Sequence, residues 1–217
     1  MDIRRTLREA INKSALYPAV QRGVEWVRNE QALRAWALEG AGGPPPHLLK
    51  QGVLREYASA HGLRTLVETG TYLGSMVHAM RPFFDRVITI EVDEALAARA
   101  RRRFAGDAGV TVLQGDSGEL MPGVVQGLQG PALFWLDGHF SGGVTGSGAS
   151  HCPVMNELPP ILGDARFEHV ILIDDSRCFG VDPAYPTLDE VRAAVLAARP
   201  NFTASVENDI QRYAPPR

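Results

Sequence analysis

The chain has 217 residues, 45% of them hydrophobic and 22% charged, which suits one α/β domain of ordinary size with room for an extra segment. Its formal net charge of −3 leaves no basic footprint for DNA or RNA. No apolar run approaches the length of about 18 residues that spans a bilayer.

The first 38 residues carry helical spacing, with Leu7, Ile11 and Ala15 followed by Val20, Val24 and Val27, and Pro18 separating two helices. Their apolar faces are expected to pack on the core or on a second copy in a homo-oligomer. A membrane-surface or substrate-capping role is the sharper alternative. Early arginines are followed by neither an apolar stretch nor a small-residue cleavage site, so this is not the pattern of a signal peptide. Cys152 and Cys178 lack CxxC spacing. The plain reading is a reduced, cytoplasmic protein without a structural disulfide. GAGGPPP at 40–46 reads as a hinge, dividing a helical extension (1–46) from a main domain (47–217).

From residue 47 apolar strands alternate with helical stretches. HLLKQGVLREYASAHG is a helix closed by Gly62. RTLVE (64–68) is a short strand, followed by a glycine-containing turn and a helix through Met80. RVITIE (86–91) is the second strand and DEALAARARRRF (93–104) a helix whose Arg99 and Arg101 to Arg103 form a solvated face. VTVLQG (110–115) is the third strand, before a short helix near 117–128. PALFWLD (131–137) is almost wholly apolar and so belongs at the centre of a sheet covered on both faces. A loop with five glycines (138–152) leads to a helix containing VMNELPPIL, then a fifth strand, HVILID (169–174). TLDEVRAAVLAAR opens with a Thr187 and Glu190 capping box, and two short strands around Glu207-Asn208-Asp209 end the chain as a hairpin. Five βα units and a hairpin imply a doubly wound, mostly parallel sheet with one antiparallel strand.

Ligands of such sheets bind at the carboxyl ends of the strands. Each of the first five strands ends at or beside an acid: Glu68, Glu91, Asp116, Asp137 and the pair Asp174–Asp175. In the first loop, VETGTYLGS, Gly70 permits a tight turn and close approach to a ligand, and Gly74 close helix–strand packing. Tyr72 stands where a dinucleotide GxGxxG fingerprint has its second glycine, so a pyrophosphate is disfavoured. Glu91 lies 21 residues after Gly70, placed to accept hydrogen bonds from ribose hydroxyls.

ExGxxxG at 68–74, the acid closing the second strand, GDS at 115–117 and the terminal hairpin together resemble a class I S-adenosylmethionine-dependent methyltransferase over roughly residues 60–215. The resemblance implies a Rossmann-like seven-stranded sheet in the order 3-2-1-4-5-7-6. It also implies that Glu68, Gly70, Thr71, Tyr72, Gly74 and Ser75 face the methionine part of the cofactor. Glu91 would hold the ribose, and Asp116 and Ser117 would lie by the adenine, with Asp137 also in the cofactor pocket.

Asp137 in LDGH and Asp174–Asp175 in IDDS would converge at neighbouring strand tips about 4.8 Å apart, where hard oxygen ligands suit Mg²⁺ or Mn²⁺. Two adjacent carboxylates about 5 Å apart repel by roughly 3 kcal/mol at an effective dielectric near 20, and a dication would offset that. The competing expectation is that one aspartate caps a turn or pairs with Arg177. The layout is similar to the macrocin O-methyltransferases and, more distantly, the catechol O-methyltransferases. By that likeness Asp137, Asp174 and Asp175 match metal-ligand positions, while His139 replaces the second acid of a DGD motif. The expected reaction is O-methylation of a small-molecule or saccharide-like hydroxyl, with His139 as general base, Asp137 in the catalytic set, His151 a weaker base and the glycine-rich loop a lid. Alternatives are a nicotinamide-dependent oxidoreductase and a non-catalytic cofactor-binding module.

Overall fold

The structure, a computed structural model, describes residues 30–36, 38, 43–138 and 152–217. The chain divides into two units, residues 1–50 and 51–217. In the first, residues 30–36 are helical and the Trp36 indole N–H donates to the Gly43 carbonyl at 2.9 Å. Of the helices expected over the first 38 residues, the part over residues 1–29, with any oligomer contact through it, lies outside the described residues. Among the described residues no helix is long and apolar enough to cross a membrane.

The elements follow in chain order: α1 (His47–Ala60), β1 (Thr65–Thr69), α2 (Ser75–Met80), β2 (Arg86–Glu91), α3 (Glu94–Phe104), β3 (Val110–Gln114) and α4 (Ser117–Gln126). Then come β4 (Ala132–Leu136), α5 (Val154–Gly163), β5 (Val170–Ile173), α6 (Leu188–Ala198), β6 (Thr203–Glu207) and β7 (Ile210–Ala214). The strands form one seven-stranded sheet in the order β3-β2-β1-β4-β5-β7-β6, the order the resemblance implied. All pairings are parallel except those of β7, which is antiparallel to β5 and β6. This is a doubly wound Rossmann-like sheet.

The apolar ALFWL segment sits where its composition demands: every residue of β4 is buried, between β1 and β5. On one face Val67, Ile88, Phe134 and Ile171 stand in register and pack with Met121 and Val125 of α4, Leu158 and Ile161 of α5, and Val191 and Val195 of α6. Each such side chain contributes roughly 1.5–3 kcal/mol by leaving water. The alternate positions belong to the other face, where Glu68 lies between Thr89 and Trp135. One face of the central strands therefore carries a carboxyl group into the interior.

Local chemistry sets the helix ends. Gly62 adopts φ 63° after α1, and Leu63 N–H reaches back to Ala58 O at 2.8 Å. Asp93 caps α3 through Leu96 N–H at 2.8 Å, Asp116 caps α4, and Thr187 with Glu190 forms the expected capping box on α6. At the amino ends of β4 and β5, buried His169 accepts from Ala132 N–H at Nδ1 (3.1 Å) and meets Asp164 at Nε2 (3.2 Å). Arg166 clamps the same Asp164 with two bonds of 2.8 Å and donates to Val125 O, locking the floor of the sheet opposite the acidic tips.

Candidate active site

The backbone ladder runs past the last strand residues, so the acids arrive together on one rim. Gly70 N–H donates to Ile90 O (3.0 Å), Gly115 N–H to Glu91 O (2.9 Å), Asp137 N–H to Thr69 O (3.2 Å) and Asp174 N–H to Leu136 O (3.1 Å). The first turn lies hard against the β4 tip. Gly70 has φ 81°, and a Cβ there would stand 2.2 Å from the carbonyl oxygen of Asp137. The glycine is thus required by the close approach of the Asp137 backbone. Gly74 (φ 72°) likewise packs on a helix rather than a strand: a Cβ would meet the Phe104 ring at 2.8 Å. Arg103 of α3 fixes the same loop by donating to Leu73 O at 2.5 Å. Between these anchors Tyr72 is exposed with φ 48°, and Ser75 is the exposed first residue of α2.

Glu91 is buried at the β2 tip and ties two loops together. Its Oε2 accepts from Tyr72 N–H at 2.7 Å and its Oε1 from Asp93 N–H at 3.0 Å. A carboxylate has about four acceptor positions, so each oxygen retains capacity for a hydroxyl donor. Asp116 accepts from Gly118 N–H (2.9 Å) and Glu119 N–H (3.4 Å), with buried Ser117 opening α4 beside it.

Glu68 is a strongly perturbed acid of the rim. Burial pushes its carboxyl up to about 8, against the pull of the Thr89 hydroxyl, and the charges of Asp137 and Glu91 add to the rise. Thr89 Oγ1 donates to Glu68 Oε2 at 2.5 Å and shares a second 2.5 Å contact with Thr71 Oγ1. At neutral pH Glu68 is therefore a neutral acid at the head of a buried hydroxyl chain. Thr89 was not expected as a site residue, although a threonine at an inward position of RVITIE was the visible sign.

The aspartates expected to hold a metal ion are not gathered into one group. Among the described residues no three His, Cys, Asp or Glu side chains, Asp137, Asp174 and Asp175 included, stand together as a group that could hold a metal ion in this arrangement. The reason is the conformation after β5. Asp174 is fully buried, while Asp175 turns into the left-handed region at φ 55° and receives the Arg177 guanidinium at 2.7 Å. Arg177 also pairs with Asp209 of the β6–β7 turn. Despite burial, which works against its charge, Arg177 is held above its usual value by Asp175 and Asp209.

A further acid enters from α5. Glu157 is buried, and its Oε1 lies 3.5 Å from where a Cβ on Gly138 would be, a position also 3.0 Å from Thr69 Oγ1. A Cβ at 138 would crowd the Thr69 side chain and make only ordinary contact with Glu157, which places Glu157 beside the junction of the β1 and β4 tips. Nothing in the helical run VMNELPPIL separated this glutamate from a surface one. Cys152 is buried near it, and desolvation pushes its thiol up to about 11, which removes it as a nucleophile at neutral pH. His139, His151 and the glycine-rich loop lie outside the described residues.

No protein-family model matches the chain, and no curated protein is similar to it in sequence. Solved structures share its fold. The O-methyltransferase TomG of Streptomyces achromogenes, in complex with S-adenosylmethionine, aligns with a TM-score of 0.57 at 18% identity over 86% of this chain and 89% of that one. A Bacillus cereus O-methyltransferase in complex with S-adenosylhomocysteine gives 0.57 at 17% over 85% and 89%. The Podospora anserina methyltransferase PaMTH1, also with S-adenosylhomocysteine, gives 0.53 at 13% over 94% and 97%.

Proposed function

We propose that the chain is a class I S-adenosylmethionine-dependent methyltransferase acting on a hydroxyl of a small-molecule or saccharide-like acceptor. The observation that carries this reading is the buried Glu91 carboxylate at the β2 tip, cross-tied to the Tyr72 turn and adjoining the acids Glu68 and Asp137. The donor set suits this cofactor: Glu91 can accept from ribose hydroxyls, and the charges of Glu91 and Asp137 beside the first turn favour a cation while disfavouring a diphosphate. That same charge, with Tyr72 exposed at the turn, weighs against a nicotinamide dinucleotide. The fold shared with TomG, which was solved with S-adenosylmethionine, supports the reading.

When bound, the cofactor would supply an electrophilic sulfonium methyl. The first turn, held by Gly70 against Asp137 and by Arg103 through Leu73, would seat its methionine end along Thr71 to Ser75. Glu91 would orient the ribose, and Asp116 and Ser117 the adenine. His139, two residues beyond Asp137 in sequence, is assigned as the proton acceptor for the attacking hydroxyl, with Asp137 beside the reacting groups. Much of the acceleration would come from holding hydroxyl and methyl at attack distance. The aspartates at the β4 and β5 tips do not fit a metal ion as arranged, and no step is assigned to one.

The test is calorimetry with S-adenosylmethionine, S-adenosylhomocysteine and NAD on the wild type and on Glu91→Ala. The first two ligands are expected to bind and NAD not to. The variant should lose about 1.5–3 kcal/mol of binding, the worth of hydrogen bonds to a charged group. Unchanged affinity in Glu91→Ala would remove the ribose assignment.

A further inference from the structure

We infer that the Arg177 guanidinium is the resident cation of the β5 tip, holding the place a divalent ion would take, so that the rim neither binds nor needs Mg²⁺ or Mn²⁺. Two segments build the arrangement. Asp175, at the N-terminus of a 3₁₀ turn (Ser176–Cys178), directs its carboxylate to Arg177 Nη1 at 2.7 Å. Asp209, in a turn where Asn208 and Asp209 both have positive φ (52° and 62°), brings a second carboxylate to the same Nη1. The backbone closes the knot, with Arg177 N–H donating to Asp209 Oδ1 at 2.7 Å and Ser176 N–H to Asp209 O at 2.9 Å.

Both carboxylates are largely withdrawn from water, their side chains 14% and 10% exposed. Left alone they would carry two negative charges at one point, a natural attraction for a hard dication. A guanidinium is always charged and offers several donors in a rigid fork. Being tethered two residues from Asp175, it competes within the molecule, and an incoming ion would have to break ion pairs on both aspartates. Mg²⁺ also demands near-octahedral oxygen geometry and sheds water reluctantly, so it is a poor competitor for a pair already bonded to a planar cation. The inference concerns the cation site; only its bearing on turnover rests on the methyl-transfer reading.

The experiment uses Mn²⁺ as the probe, followed by electron paramagnetic resonance on the full chain, with thermal unfolding as the folding control. Wild type is expected to leave the free Mn²⁺ signal undiminished at millimolar ion, and Mg²⁺ should not move its unfolding midpoint. Arg177→Gln is expected to gain Mn²⁺ affinity by about tenfold or more, and Arg177→Gln/Asp175→Asn to lose that gain. Arg177→Lys retains a charge and should remain silent. Tight Mn²⁺ binding by wild type overturns the inference, as does a folded Arg177→Gln with no gain. If Arg177→Gln does not fold, wild type and Arg177→Lys decide, Mn²⁺ binding by either overturning it. Methyl-transfer turnover that survives chelation supports the inference, whereas turnover abolished by chelation and restored by Mg²⁺ overturns it. A chain with these Mn²⁺ results but no methyl transfer counts against the methyl-transfer reading alone.

Discussion

Replacing Glu68 by Gln should change how stability depends on pH. The carboxyl titrates near 8 in the folded chain against an ordinary 4.5, chiefly because burial disfavours its charge. A group whose folded value is raised contributes stability that is complete below its unfolded value. That contribution then declines as pH rises toward the folded value, because the unfolded chain has already released the proton the folded chain must keep. At pH 7 the interval above 4.5 is 2.5 units, and at about 1.4 kcal/mol per unit the penalty is about 3 kcal/mol. Glutamine is neutral at every pH and can still accept from the Thr89 hydroxyl, so the variant lacks this term. Its extra amide donor costs a roughly constant amount, which displaces the curve without tilting it.

The assay is urea unfolding of both proteins from pH 4.5 to 8.5. The difference in unfolding free energy should move in favour of Glu68→Gln by about 3 kcal/mol between pH 4.5 and 7. In thermal melts that is a relative gain of about 6–12 °C for a domain of this size. Parallel curves would refute the reasoning, since they would mean Glu68 is ionised in the folded chain or solvated through its neighbours.

Gly70→Ala should cost more than about 2 kcal/mol in thermal or urea unfolding, the sum of left-handed strain and a Cβ 2.2 Å from the Asp137 carbonyl oxygen. The variant should also weaken S-adenosylmethionine in calorimetry, because the first turn must leave the β4 tip. His169→Ala, at the opposite end of the sheet, leaves Ala132 N–H without its side-chain acceptor and Asp164 held by Arg166 alone, and should cost about 1–3 kcal/mol. Cofactor affinity should be untouched. Burial lowers the His169 imidazole below its usual 6.5. The wild type should therefore lose stability as pH falls below 6.5, where the unfolded chain takes up a proton the folded chain resists, and the variant should lose less.

The strand order and the rim were legible because they follow from periodicity. An unbroken ALFWL run can only be central, and a strand of period two that ends in an acid puts that acid at the carboxyl edge. Side-chain direction beyond the last strand residue was not legible. IDDS specifies two adjacent acids, but whether they converge on one point depends on the φ of Asp175, which is positive, and on a turn more than thirty residues away that delivers Asp209. Gly70 was correctly marked as a point of close approach, while the approaching group comes from β4, sixty-seven residues on. Both contacts involve non-local partners. A local pattern carries the requirement without naming who meets it.

Charge balance along the rim shows how these readings fit together. Asp116 is satisfied by amides at the start of α4, Glu91 by two loop amides, Asp175 by Arg177, and Glu68 by a proton. Only the last device can be exchanged for a ligand without breaking a protein contact. A cation brought to the first turn would substitute for that proton. With the group near 8, about nine-tenths of the folded molecules hold the proton at pH 7, so binding of S-adenosylmethionine should release close to one proton. Calorimetry in buffers of differing ionisation enthalpy reads this directly. S-adenosylhomocysteine, which lacks the sulfonium charge, should release less, and Glu68→Gln should abolish the buffer dependence. Identical heats in every buffer would show that the cation at the first turn is balanced by some other group.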